Sequence, residues 1–137
     1  IKMKQKGMEI TYDFGNNKSI FVNADNIRIT QVMSNLIVNS LNYGVENGTT
    51  EIVTKSLSKE KVLVRVIDNG QGISEADLPR IFERFYRVDK TRNRQEGGSG
   101  LGLAIVKHIV EAHNEIVYVE SSLNVGSEFS FTLTKSN

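Results

Sequence analysis

The chain has 137 residues, 39% hydrophobic and 24% charged, a balance that suits one compact globular domain with its own core. A net charge of +1 makes no general case for nucleic-acid binding, and the lack of cysteine excludes a disulfide framework and a thiolate metal site. No apolar run approaches the ~18 residues of a membrane helix and no signal-peptide layout opens the chain, so residues 1–137 read as one soluble domain, expected to be part of a longer protein.

In chain order, Met8 to Phe14 alternates weakly and Ser19 to Asn23 follows a Gly-Asn-Asn turn, which predicts a first hairpin. From Asp25 to Tyr43, Ile29, Val32, Met33, Leu36, Ile37 and Leu41 fall at helical spacing. Arg28, Gln31, Asn35, Asn39 and Asn42 line the opposite stripe, so a long amphipathic helix is expected. Glu51 to Leu57 and Lys61 to Ile67 read as a strand pair, the second nearly continuously apolar and therefore central. Ser74 can cap a short helix before Pro79, and the chain from Val88 to Gly98 turns polar and irregular. A helix follows from about Leu101 to His113, with Leu101, Ile105, Ile109 and Ala112 expected to anchor it, then strands at Ile116 to Ser121 and Glu128 to Thr134. This order predicts a two-layer α+β sandwich with a mixed, mainly antiparallel sheet.

Four glycines in the six positions Gly97 to Gly102 need a reason, since each costs roughly 0.5–1 kcal/mol relative to alanine inside regular structure. One reading is a flexible hinge; the other is a helix start whose free N–H groups approach an anion. The dinucleotide pattern G-x-G-x-x-G fails, because Leu103 or Ile105 stands at its third glycine, and a P-loop fails because Leu103 stands where lysine is required.

Three further features carry chemistry. Asn35 and Asn39, four apart, share one helix face; taken alone this is either a solvated stripe or a pair of carboxamides suited to magnesium, which keeps waters and adds phosphate oxygens. The stretch Asp68 to Ile73 ("DNGQGI") is by itself a turn signal. Yet a carboxylate closing a central strand, with Gly70 and Gly72 leaving room, could accept the amino hydrogen of adenine and reject guanine. The span Arg80 to Arg94 is either a solvated loop or a basic cover over phosphates, and its few aromatics argue against nucleic acid.

In this order the pieces resemble the catalytic and ATP-binding domain of sensor histidine kinases, within the superfamily of gyrase, chaperone and mismatch-repair ATPases. An N box resembles Asn35 to Tyr43, a first glycine box Asp68 to Gly72, an F box Phe82 to Arg87 and a second glycine box Gly98 to Leu103. The resemblance implies a sheet of about five strands against three helices, with a mobile ATP lid. It implies Mg2+ on Asn39, with Asn35 and Tyr43 facing the nucleotide, Asp68 reading adenine and Gly70 and Gly72 making space for the base. It gives Arg87 to the terminal phosphate, and Gly98, Gly100, Leu101 and Gly102 to the lid hinge and helix start; Asn39 and Arg87 are the expected catalytic residues.

Two positions depart from that pattern. Asn42 replaces a usual lysine, removing a phosphate-directed cation, and Asn114-Glu115 replaces a Gly-Gly pair, so the turn there is expected to be rebuilt. The only histidines are His108, read as solvent-facing, and His113, read as a helix-end residue, so neither is a phosphoacceptor. The implied function is transfer of the γ-phosphate of ATP to a histidine in an upstream dimerisation domain, then to a response regulator. The implied protein is a homodimer whose catalytic part is cytoplasmic, whether or not it is a membrane-bound sensor. The alternatives are an ATPase conformational switch and a nucleotide-binding module without turnover.

Overall fold

Capping and periodicity place most elements close to their sequence positions. The computed structural model describes residues 9–13, 20–86 and 100–136. Its elements are β1 (Glu9–Asp13), β2 (Val22–Asn23), α1 (Asn26–Asn42), β3 (Thr49–Ser56), β4 (Lys61–Asp68), α2 (Gly102–Ala112), β5 (Val117–Ser122) and β6 (Gly126–Lys135). Asp25 caps α1 by accepting from the Arg28 N–H at 3.1 Å.

The sheet runs β1, β3, β4, β6, and the far edge of β6 is shared by β5 and β2. Only β1 with β3 is parallel among these pairings, so the sheet is mixed and mainly antiparallel, with six strands where about five were expected. β4 is central, as its continuous apolar run predicts, and it turns Val62, Val64 and Val66 inward. The core lies between this face and the two helices: Val32 and Leu36 from α1, Val106, Ile109 and Val110 from α2, and Phe129, Phe131 and Leu133 from β6.

The first hairpin is not formed. β1 pairs with Thr49–Val53 at one margin of the sheet, while β2 pairs with Thr134 and Lys135 at the other. A Gly-Asn-Asn signal specifies a turn, not the partner of the strand it releases. The third helix is also absent among the described residues. Ser74 does cap a turn, its hydroxyl accepting from the Asp77 N–H at 3.2 Å, but only a 3-10 turn, Leu78–Arg80, follows. Instead the chain drops Ile81 into the core and sets Phe82 edge-on to Phe129, with ring centroids 6.2 Å apart. Of the basic span Arg80 to Arg94 expected to cover the phosphates, residues 87–94 lie outside the described residues.

α2 buries Val106, Ile109 and Val110, with Leu103 and Ile105 partly covered; Ala112, expected in the core, is exposed. The helix rolls so that Val106 and Val110 point inward, leaving Lys107, His108 and Glu111 in solvent. The two helices run antiparallel and are tied twice. The His113 Nε2 accepts from the Asp25 N–H at 3.0 Å, and the Asn35 Nδ2 donates to the Gly102 carbonyl at 3.3 Å. His113 thus joins the end of α2 to the start of α1, while its Nδ1 meets the Ile109 carbonyl at 2.8 Å.

After α2 the chain turns at Asn114. Asn114 takes the left-handed conformation at φ 59, and Glu115 leaves it to turn inward. The Glu115 carboxylate accepts from Lys61 Nζ, Thr132 Oγ1 and Thr134 Oγ1, each at 2.8 Å. Burial alone would raise its pKa, but these donors outweigh it and hold the carboxyl below its ordinary value.

Candidate functional site

At the end of β4 the apolar run gives way to Asp68, beneath the end of α1. Its Oδ1 accepts from the Gly70 N–H at 2.9 Å. Burial pushes its carboxyl above the ordinary aspartate value, opposed by the Gly70 and Ser127 N–H groups and by the Ser40 hydroxyl. The first glycine box is closed against the N box by backbone: the Gln71 N–H donates to the Tyr43 carbonyl at 3.0 Å. A Cβ on Gly70 would sit 2.4 Å from that carbonyl, and one on Gly72, whose φ is +73, 2.0 Å from the Ser122 carbonyl. Both glycines are therefore required by close approach, and Gly72 by its left-handed backbone as well.

The start of α2 lies at the other end of the same α1 face. Leu101 provides no side-chain cap, the first turn has no acidic residue, and a Cβ on Gly102 would meet nothing within 4 Å. Among the described residues no side chain caps these N–H groups, and the positive end of such a helix suits an anion. Asn35 is held here, its amide spent partly on the Gly102 carbonyl. Gly100, with φ +79, accepts from the Phe85 N–H at 2.8 Å, so the F box and the second glycine box meet backbone to backbone. Phe85 itself is left-handed at φ 66 and 64% exposed, a strained posture costing ~1–3 kcal/mol for a bulky residue.

Between these ends lies Asn39, half-buried, whose carboxamide has no hydrogen-bond partner among the described residues. No group of three or more His, Asp or Glu side chains among the described residues could hold a metal by itself. A half-buried amide oxygen of this kind fits magnesium that takes its remaining ligands from water and phosphate. Asn35 and Tyr43 are eight residues apart, about 12 Å along the helix, so the N-box face runs from the Gly70 end to the Gly102 end. Tyr43 thus meets the Asp68–Gly70 turn and Asn35 meets Gly102, with Asn39 between them on α1; Gly100 meets Phe85 and Gly72 lies against Ser122, whereas Arg87 and Gly98 lie outside the described residues. In the basic span, Arg80 is occupied by Glu83 at 3.2 Å and by the Tyr86 ring at 4.4 Å.

One pair was not read from the sequence. Ser40 and Thr50, 2% and 0% exposed, share a hydrogen bond of 2.6 Å directly behind Asp68. A signal did exist: Ser40 follows Val32 and Leu36 at intervals of four, so a polar residue stands on the core stripe and has to find a partner there.

The family described as histidine kinase-, DNA gyrase B-, and HSP90-like ATPase matches residues 24–137. The sensor histidine kinase WalK of Bacillus subtilis (strain 168) is 41% identical over 117 residues, covering 85% of this chain and 19% of that protein. This chain therefore spans about a fifth of that relative's length. Among solved structures, the catalytic domain of histidine kinase ThkA superposes with a TM-score of 0.81 at 30% identity, covering 99% of this chain and 86% of that one. Full-length ShkA in complex with AMPPNP gives a TM-score of 0.81 at 28% identity, covering 98% of this chain and 27% of that one.

Proposed function

Because the chain belongs to the family of histidine kinase-, DNA gyrase B- and HSP90-like ATPases, and within it to the catalytic domains of sensor histidine kinases, we propose that it binds Mg·ATP and delivers the γ-phosphate to a histidine of an upstream dimerisation domain. The AMPPNP bound to ShkA supports an adenine nucleotide as the ligand. The observation that carries the reading is the single α1 face: it meets the Asp68–Gly70 turn at Tyr43 and the uncapped start of α2 at Asn35.

In this reading Asp68 accepts the adenine amino group, and Gly70 and Gly72 keep the backbone low enough for the base to enter. The N–H groups opening α2, with Gly98, Gly100 and Leu101 before them, receive the phosphates. Asn39, with Asn35 beside it, would hold magnesium, which would neutralise phosphate charge. Arg87 reaches the terminal phosphate. The domain thus orients ATP and excludes water while the imidazole nitrogen of the acceptor attacks; the bond from phosphorus to the ADP oxygen breaks as the phosphorus–nitrogen bond forms. A response-regulator aspartate then takes the phosphoryl group, and the whole protein works as a homodimer with this part in the cytoplasm. Among the described residues no helix is long and apolar enough to cross a membrane.

Two measurements test the proposal. Titration of a non-hydrolysable ATP analogue with and without magnesium is expected to show magnesium-dependent binding that Asp68→Asn and Asn39→Asp weaken; unchanged binding in both variants removes the site assignment. With an upstream hairpin and labelled ATP, acid-labile, base-stable label on the hairpin is expected. Free phosphate without label would mean an ATPase switch, and neither product a binding module.

A further inference from the structure

Resting on the adenine-reading role of Asp68, we infer that Ser40 and Thr50 form a positioning pair that fixes the Asp68 carboxylate as the acceptor of the adenine amino group. Thr50 lies directly across from Asp68 in the β3–β4 register, and Ser40 follows Asn39 on the buried side of α1. Their hydroxyls, 2.6 Å apart, are closed off from water, so each proton has to point at a protein acceptor. Burial pushes the Asp68 carboxyl above its ordinary value, and the Ser40 hydroxyl opposes that shift. If Ser40 donates to Asp68, its oxygen is left to accept, and Thr50 becomes the donor in turn. The proposed arrangement is one direction of hydrogen bonding, from Thr50 to Ser40 to Asp68, that ends on a carboxylate.

The direction matters for specificity. With Gly70 N–H at 2.9 Å on Oδ1, the ionised carboxylate keeps acceptor capacity toward the pocket. Such a group accepts from an exocyclic amine and repels a carbonyl oxygen, the feature that separates adenine from guanine. Neither hydroxyl touches the base, so both act through Asp68. Without the pair, the carboxylate sits in the same half-buried place with one donor fewer and more rotational freedom.

The test compares ADP with the diphosphate of purine riboside, which lacks the exocyclic amine, by calorimetric titration of the folded domain. In the parent, ADP is expected to bind tighter. Ser40→Ala and Thr50→Val are expected to shrink the ADP-to-analogue affinity ratio roughly three- to tenfold, the scale of one hydrogen bond to a charged group. Thr50→Ser, which keeps the hydroxyl, is expected to restore the ratio even where it loses stability. Equal weakening of both ligands, or no change in the ratio, would overturn the positioning role, because a purely structural defect does not distinguish the two bases. Asp68→Asn in the same assay separates the underlying reading: a ratio it leaves unchanged means that Asp68 does not read the amine, and the pair falls with it.

Discussion

Gly102→Ala separates stability from ligand binding at the start of α2. The residue is helical, its φ lies outside the left-handed range, and an added Cβ would have no atom within 4 Å. Replacing glycine by alanine at a compatible position restricts the unfolded chain and stabilises by ~0.4–1 kcal/mol. For a domain of this size that is a rise in Tm of roughly 1–5 °C. In the proposed site the same methyl group would stand where phosphate approaches the N–H groups opening α2. Affinity for a non-hydrolysable ATP analogue is therefore expected to fall at least tenfold, about 1.4 kcal/mol. Differential scanning fluorimetry without ligand gives the first quantity and calorimetric titration the second. A lowered Tm would show that Gly102 is needed for backbone reasons; a raised Tm with unchanged affinity would show that phosphate does not come this way. Gly72→Ala is the contrast, since φ +73 and a backbone oxygen at 2.0 Å leave its Cβ nowhere to go, and it is expected to destabilise the free domain.

Glu115→Gln is expected to cost about 1–2 kcal/mol at pH 7, since one amide replaces a carboxylate that accepts from three donors while Lys61 can turn to water. Because the folded carboxyl titrates below its ordinary value of 4.5, its contribution is complete above that pH and is lost as the pH falls through the folded value. Urea unfolding across pH 2–7 should therefore show a shallower acid decline in the variant, and parallel curves would refute the linkage. Phe131→Ala, at a fully buried position between β4 and the helices, is expected to lose about 3–5 kcal/mol in urea with an unchanged m value; a loss under ~1 kcal/mol would contradict the core assignment. Asn42→Lys, which returns the cation expected in the N box, should tighten Mg·ATP-analogue binding several-fold at low salt and less at high salt; no salt-dependent gain would place residue 42 away from the phosphates.

The sequence by itself determined the elements whose cause is local. The spacing of Val32 and Leu36, the cap at Asp25 and the unbroken Lys61–Ile67 run are decided by neighbours a few residues away, and α1 and central β4 stand where these signals put them. The four boxes were legible for the same reason, since each is a short run of residue types. Tertiary structure alone decided what those runs meet. β1 and β2 read as a hairpin, yet they part to opposite margins, because strand partners are chosen by the burial of the whole sheet face rather than by the intervening turn. The turn capped by Ser74 stops short of a helix because Ile81 and Phe82 bury more by packing under β6 than by continuing it. Glu115, an awkward residue for its turn, turns inward and pairs with the partly exposed Lys61, 54 positions away. Asn35 ties one helix to the next, and Ser40 meets Thr50 behind Asp68. These are contacts between polar groups that no local pattern pairs, and Glu115, Ser40 and Thr50 make them because burial leaves those groups no water to bind.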